Sequence, residues 1–180
     1  MTTITLTAGH GQYKDRFDSG AVAKDGTTEA AIAVEMRGII KYYLERAGVT
    51  VITDGIGKQN LGLNDAVKLI KKGKIALEIH TNASDNPKAQ GVEVLALGKD
   101  KTLAQNIAKA ISDTTGYKLR GDKGYQTQSI SPRGRLAFVQ NGGLILELFF
   151  ISNPTELQTY RDKKWLIGKA VAGVLSGVVG

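Results

Sequence analysis

Short apolar runs alternate along the chain with longer segments in which apolar residues recur at helical spacing. The apolar runs predict β-strands at residues 4–8, 49–53, 75–79, 91–97 and 144–150. The helical spacing predicts α-helices at residues 28–47, 64–72, 103–115, 154–160 and 163–178. Because strands separated by helices form mostly parallel sheets covered on both faces, this pattern predicts one α/β domain spanning residues 1–180.

The segment at residues 117–133 is the longest part of the chain without a clear period. It is polar and contains Gly121, Gly124 and Pro132. Such a segment can close over a substrate, or it can be an ordinary surface loop, and the sequence leaves both interpretations open.

The chain carries a formal net charge of +7, which favours polyanionic partners, although solubility alone is the ordinary explanation. The lysines are scattered and no nucleic-acid-binding motif is present, so we expect no nucleic acid among its partners. No apolar stretch approaches the roughly 20 residues of a membrane-spanning helix. We therefore expect no stable membrane insertion, with a membrane-active basic last helix as the minor alternative.

The sequence contains two histidines and no cysteine, so a metal site would need histidine and carboxylate ligands. His10 follows the first predicted strand, and His80 follows the third. Ligands of open α/β sheets bind beyond the carboxyl ends of the strands, where both histidines are expected. A lone histidine is usually structural, but two in corresponding positions favour a shared metal.

Glu29 is the third candidate ligand, in the first turn of the predicted helix at residues 28–47. Its position lies on the same helical face as Ile32, Met36 and Ile40, so the carboxylate is expected to point towards the sheet. A favourable interaction with the helix dipole would also explain an acidic residue here, but it does not require the inward face.

Glu147 lies inside an apolar strand, where an unpaired carboxylate is costly to bury. It is either one half of a buried ion pair with Arg133 or Arg135, or a general base whose proton affinity is raised by its apolar surroundings. Two histidines and one glutamate leave a fourth tetrahedral position for water, as in a catalytic zinc site. Glu147 would then take a proton from that water and pass it to a leaving nitrogen.

Several short motifs, in order along the chain, resemble those of the zinc-dependent N-acetylmuramoyl-L-alanine amidases of the Amidase_3 type. They are Gly9-His10-Gly11, Asp18-Ser19-Gly20-Ala21, Gly26-Thr27-Thr28-Glu29, Ile79-His80-Thr81-Asn82-Ala83 and Glu147-Leu148-Phe149-Phe150-Ile151-Ser152-Asn153. The resemblance implies a twisted sheet of about six strands, with Zn²⁺ on His10, Glu29 and His80 and with Glu147 as the catalytic acid and base. It also implies cleavage of the amide bond between N-acetylmuramic acid and the first L-alanine of the peptidoglycan stem peptide.

Glu78 departs from the family pattern, which commonly has serine two residues before the second histidine. On a strand, Glu78 and His80 share a face. Glu78 can therefore contact His80 and orient its ring for metal binding, compete with Glu147 for the proton role, or form an ion pair with a lysine.

Three further residues are candidates for binding the substrate. Asn82 follows the second histidine, and Arg133 and Arg135 form a paired arginine motif after the polar segment. We expect the arginines to contact a carboxylate of the stem peptide.

The expected partner is peptidoglycan, and the expected state is a monomer. A catalytic domain without an evident signal or wall-binding repeat suits a phage endolysin, which gathers in the host cytoplasm before it is released to the wall. A host enzyme that remodels the wall, located in the wall or outside the cell, is the alternative. A zinc peptidase that trims the stem peptide and a non-catalytic wall-binding protein also remain open.

Overall fold

The computed structural model describes residues 3–130 and 136–179. The strands in this part of the chain are Thr3–Ala8 (β1), Gly11–Tyr13 (β2), Arg16–Asp18 (β3), Thr50–Thr53 (β4), Ile75–Asn82 (β5), Glu93–Leu95 (β6), Tyr125–Gln126 (β7) and Leu144–Phe150 (β8). The α-helices are Glu29–Arg46 (α1), Leu63–Leu69 (α2), Lys101–Thr115 (α3), Ala137–Gln140 (α4) and Pro154–Val179 (α5).

Six strands form one sheet in the order β4-β1-β5-β8-β6-β7. The first four of these are parallel, β6 runs antiparallel to β8, and β7 is parallel to β6. Strands β2 and β3 pair separately as a short antiparallel hairpin. The predicted α/β domain with a mostly parallel sheet of about six strands is therefore confirmed.

The two faces of the sheet are covered unequally. One face packs against α1, α3 and α5 and contains the larger hydrophobic core, to which Leu77, Ile79 and Leu146 belong. Successive residues of a strand point to opposite faces, so Ala76 and Ile145 lie on the other face, where they pack with residues of α4. Because this second apolar cluster is small, it leaves the carboxyl ends of the strands accessible on that face of the sheet.

One helix, α5, replaces the two helices predicted at residues 154–160 and 163–178. The polar residues Arg161 and Asp162 interrupt the apolar pattern, but both lie on the exposed side of the helix, and Arg161 binds Asp25. Polar residues on an outer face do not end a helix in the way that glycine or proline does, so the prediction of a break was wrong. Within the described ranges, no helix is both long and apolar enough to cross a membrane.

Short elements lie in segments that the sequence left irregular. The hairpin of β2 and β3 falls between the first predicted strand and the first predicted helix, and β7 falls in the polar segment at residues 117–133. These strands have three residues or two, which is too short for an alternating pattern to be detected. Closure of the polar segment over a substrate stays a prediction.

Candidate functional site

The carboxyl ends of β1, β5 and β8 bring three of the predicted residues to one edge of the sheet. His10 follows β1 in a left-handed backbone conformation with φ of 64°. His80 in β5 is the register partner of Glu147 in β8, so their side chains lie on the same face. Gly9 allows the close approach, because a side chain at this position would overlap the His80 ring.

Glu29 reaches the same point from the amino end of α1. Thr28 caps this helix by accepting a hydrogen bond from the Ala31 N–H, which fixes where the helix begins. The buried carboxylate of Glu29 accepts hydrogen bonds from the backbone N–H groups of Ala21 and Thr81, each at 3.0 Å. The inward orientation expected from the helical pattern is therefore what the structure shows.

The two imidazoles converge on opposite oxygens of Glu29. His10 Nε2 lies 3.4 Å from Oε2, and His80 Nδ1 lies 3.0 Å from Oε1. The remaining ring nitrogens are held by other carboxylates, His10 Nδ1 by Asp18 at 2.9 Å and His80 Nε2 by Glu78 at 3.2 Å. One ligand atom from each of His10, Glu29 and His80 lies within 4.8 Å of the others, so the three residues could hold a metal ion.

Protonation in this group follows from the close contacts. Burial disfavours charge on His80, but hydrogen bonds to Glu29 and Glu78 outweigh that cost and raise the imidazole pKa well above its usual range. Burial likewise disfavours charge on Glu29, but the hydrogen bond and charge of His80 outweigh it and lower the carboxyl pKa. The site therefore favours positive charge between its carboxylates. A cation would displace the imidazole protons, because metal-binding histidines are neutral.

Glu147 is the least satisfied carboxylate of the group. It is half-buried at the edge of the cleft, and its Oε2 is buried with no hydrogen-bond partner in the described part of the chain. Burial raises the pKa of Glu147 to about 7, although the charge of His80 opposes the shift. Repulsion from Glu29, Glu93 and Glu78 adds to the shift. A carboxylate with this pKa can accept and return a proton near neutral pH.

Glu78 is held within the site. It is buried, accepts a hydrogen bond from the Thr7 hydroxyl at 3.2 Å, and lies 3.2 Å from His80 Nε2. Among the alternatives that the sequence left open, these contacts favour support of His80 over an ion pair with lysine.

A buried polar network that the sequence analysis missed fixes the backbone around His10. Asn60 donates hydrogen bonds from Nδ2 to the backbone oxygens of Ala8 and His10. The Asn60 Oδ1 atom accepts a hydrogen bond from Arg37, whose guanidinium also pairs with Asp54 at 2.6 Å. One signal was available, since Asp54 directly follows the apolar strand β4, at the same sheet edge as His10.

The cleft in front of these residues has a volume of about 780 Å³. On the side of β6 it is lined by Glu93 and Arg120, which the sequence analysis also missed. Glu93 carries the same signal as Glu147, a carboxylate within an apolar strand. The predicted substrate residue Asn82 lines the cleft too, and its side-chain amide donates to Glu93 at 2.8 Å.

The predicted arginines, Arg133 and Arg135, lie outside the described residues. The proposed contact with a substrate carboxylate and the alternative ion pair with Glu147 both stay predictions.

Comparisons with protein families and with curated relatives point to the same family. The Amidase_3 family model, described as N-acetylmuramoyl-L-alanine amidase, matches residues 4–176. Curated relatives include the N-acetylmuramoyl-L-alanine amidases AmiA of Escherichia coli and of Salmonella typhimurium, each 26% identical over 112 residues. The match covers 61% of this chain but only 37% of each relative.

Solved structures show the same fold along nearly the whole chain. A protein of Neisseria meningitidis, assigned as an N-acetylmuramoyl-L-alanine amidase, is 42% identical with a TM-score of 0.89, over 99% of this chain and 96% of that one. The catalytic domain of CwlV, an N-acetylmuramoyl-L-alanine amidase from Bacillus (Paenibacillus) polymyxa var. colistinus, is 21% identical with a TM-score of 0.84, over 100% of both chains. At the lower identity the likeness shows the fold alone.

Proposed function

The chain belongs to the N-acetylmuramoyl-L-alanine amidase family, and from that premise we propose that it hydrolyses the amide bond between N-acetylmuramic acid and L-alanine in peptidoglycan. The observation that carries the proposal is the convergence of His10, Glu29 and His80 beside Glu147 at the open end of the sheet. A decayed, purely wall-binding site would not need to retain this constellation.

We propose that His10, Glu29 and His80 hold Zn²⁺. Histidine nitrogen and carboxylate oxygen are ligands that zinc accepts, and three protein ligands leave a position for water or substrate. The carboxylates of Asp18 and Glu78 behind the two imidazoles support the same assignment, because metal-binding histidines usually donate their second N–H to a carboxylate. Bound zinc would polarise the substrate carbonyl and lower the pKa of the attacking water.

The role of Glu147 follows from its position and its surroundings. Its carboxylate faces the cleft beside His80, and its pKa of about 7 lets it receive a proton from the attacking water. The same proton then goes to the nitrogen of the leaving L-alanine, so that the amine departs neutral. One group thus serves as base and then as acid in a single turnover.

The biological setting is also part of the proposal. We propose that the enzyme acts on peptidoglycan during host lysis as an endolysin, after it has gathered in the host cytoplasm. The net charge of +7 would favour adhesion to an anionic wall. Rapid lysis on expression together with a membrane pore, and none without the pore, is the expected result, whereas normal growth with the pore would favour wall remodelling.

The chemical proposal is tested by digesting purified peptidoglycan with the wild type and with Glu147→Gln. Bound metal is measured in each protein, and the released ends are identified. We expect one zinc in both proteins, new N-terminal alanine from the wild type, and a loss of rate of at least about 100-fold in the variant, in line with removal of a general base. Glu45→Gln, at the exposed far end of α1, is the matched control and should behave like the wild type.

Three results would contradict the proposal. Cuts inside the stem peptide would identify a peptidase instead. Binding of peptidoglycan without any released ends would identify a wall-binding protein. Full activity in Glu147→Gln would show that another group handles the proton.

A further inference from the structure

Arg120 lines the cleft on the side of β6, where its side chain can contact a substrate. Among the described residues that line the cleft, Arg16 and Arg120 are the ones with a permanent positive charge. Arg120 has a side chain that is 37% exposed, and its guanidinium lies 4.8 Å from the centre of the Phe150 ring. Contact with an aromatic face restricts the plane of the guanidinium.

The Arg120 side chain is held in place by a buried carboxylate, that of Glu93, which also accepts two other hydrogen bonds. Glu93 accepts a hydrogen bond from Arg120 Nε at 3.0 Å, and its own side chain is only 3% exposed. Asn82 donates to one Glu93 oxygen at 2.8 Å, and Gln126 donates to the other at 3.2 Å. Since neutral amides share Glu93 with Arg120, the orientation of the carboxylate does not depend on the arginine alone.

The outer edge of the guanidinium keeps most of its hydrogen-bonding capacity. Nη1 of Arg120 reaches the Gln90 backbone oxygen at 3.5 Å, the limit of a hydrogen bond. No acceptor for Nη2 lies in residues 3–130 or 136–179. A guanidinium fixed at Nε and open at its Nη atoms is arranged to bind a carboxylate through two parallel hydrogen bonds.

We propose that Arg120 binds a carboxylate on the peptide that follows the scissile amide, and so makes the enzyme prefer acidic over amidated stem peptides. This inference rests on the proposed amidase function and adds the chemical class of the leaving peptide.

The order of the strands indicates why the peptide, rather than the glycan, would meet Arg120. His10 follows β1, and His80 and Glu147 lie on β5 and β8, in that order across the sheet. Glu93 on β6 is the register partner of Glu147 on its other side. Glu147 has to reach the leaving nitrogen, so the leaving peptide lies on the Glu147 side of the cleft. From there the cleft continues past Glu93 to Arg120.

The experiment compares two soluble N-acetylmuramoyl peptides that differ only in the residue after L-alanine, which carries either a carboxylate or the corresponding carboxamide. We expect the wild type to cleave the acid with kcat/KM about 10- to 100-fold higher, the range for a charge-assisted hydrogen bond. Arg120→Gln should abolish this preference. Arg120→Lys should keep part of it, because lysine supplies the charge without the planar fork. Arg16→Gln, which removes the other cleft arginine, should keep all of it.

The outcomes separate this inference from the function on which it rests. Equal cleavage of the acid and the amide by the wild type would overturn the role of Arg120 and leave the amidase proposal standing. A preference for the acid that is unchanged in both Arg120 variants would also overturn the role of Arg120. Two variants are used because loss of the hydrogen bond to Glu93 can destabilise one of them. If the wild type cleaves neither peptide and releases no N-terminal alanine from intact peptidoglycan, both the function and the inference are overturned.

Discussion

Replacement of Asn60 by alanine tests whether the buried network behind His10 positions that histidine. Asn60 is 6% exposed and makes three hydrogen bonds through its side chain, two to backbone oxygens and one from Arg37 at 2.7 Å. Alanine removes all three and leaves the oxygens of Ala8 and His10 without this donor. His10 is then free to leave its left-handed conformation, which costs roughly 1–2 kcal/mol in a residue other than glycine.

The expected loss of stability follows from the same contacts. Two neutral hydrogen bonds contribute about 1 kcal/mol each, and one to a charged group contributes about 2 kcal/mol. The sum is reduced because Arg37 keeps its contacts with Asp54 and with two backbone oxygens, and because water can enter from the cleft. We therefore expect the free energy of unfolding to fall by about 3 kcal/mol, which lowers the melting temperature by roughly 6–12 °C.

Two measurements on the same variant separate positioning from simple destabilisation. Denaturant unfolding gives the change in stability, and zinc titration below the melting temperature gives the change in metal affinity. We expect affinity to fall by about 10- to 100-fold, as when a group that supports a metal ligand is lost. Asn141→Ala, which removes one exposed side-chain hydrogen bond to Ala137, is the control and should change stability by less than about 1 kcal/mol. Unchanged zinc affinity in a destabilised Asn60→Ala would refute the positioning role.

Three further predictions concern protons, metal and the carboxylate behind His80. The pKa of Glu147 is raised in the fold to about 7, so this group stabilises the folded protein below about pH 4.5 and that contribution is lost as the pH rises through about 7. With chelator present, we therefore expect the free energy of unfolding of Glu147→Gln, measured relative to that of the wild type, to rise by on the order of 2 kcal/mol from pH 4 to pH 8. A difference between the two proteins that does not change with pH would contradict the raised pKa. Chelation should lower the melting temperature of the wild type, with recovery on adding zinc, whereas His80→Ala should show neither effect; a wild type indifferent to chelator would argue against the metal site. Glu78→Gln should weaken zinc binding about 10- to 100-fold with Glu147 in place, and loss of turnover at unchanged affinity would instead point to a proton role for Glu78.

The site shows which residues a sequence can and cannot identify. His10 and His80 stand out because each follows a predicted strand, and Glu147 stands out because it lies within an apolar one. Glu29 stands out because it lies on the apolar face of its helix. These signals are local, since they depend only on neighbours within a few positions. Asn60 carries no such signal, because its role depends on contacts with Ala8 and His10 that are 50 or more positions away.

By itself, the sequence determined the α/β class, the mostly parallel sheet and the residues that meet at its open edge. The spacing of apolar residues, every second position in a strand and every third or fourth in a helix, indicates which face of each element is buried. Parallel strands then bring their carboxyl ends to the same edge of the sheet. The tertiary structure decided that α5 is continuous, that the Glu78 carboxylate lies beside His80, and that Arg120 lines the cleft while it donates a hydrogen bond to Glu93. Those features depend on which side chains meet across the sheet, and the local pattern of polar and apolar residues does not record such pairings.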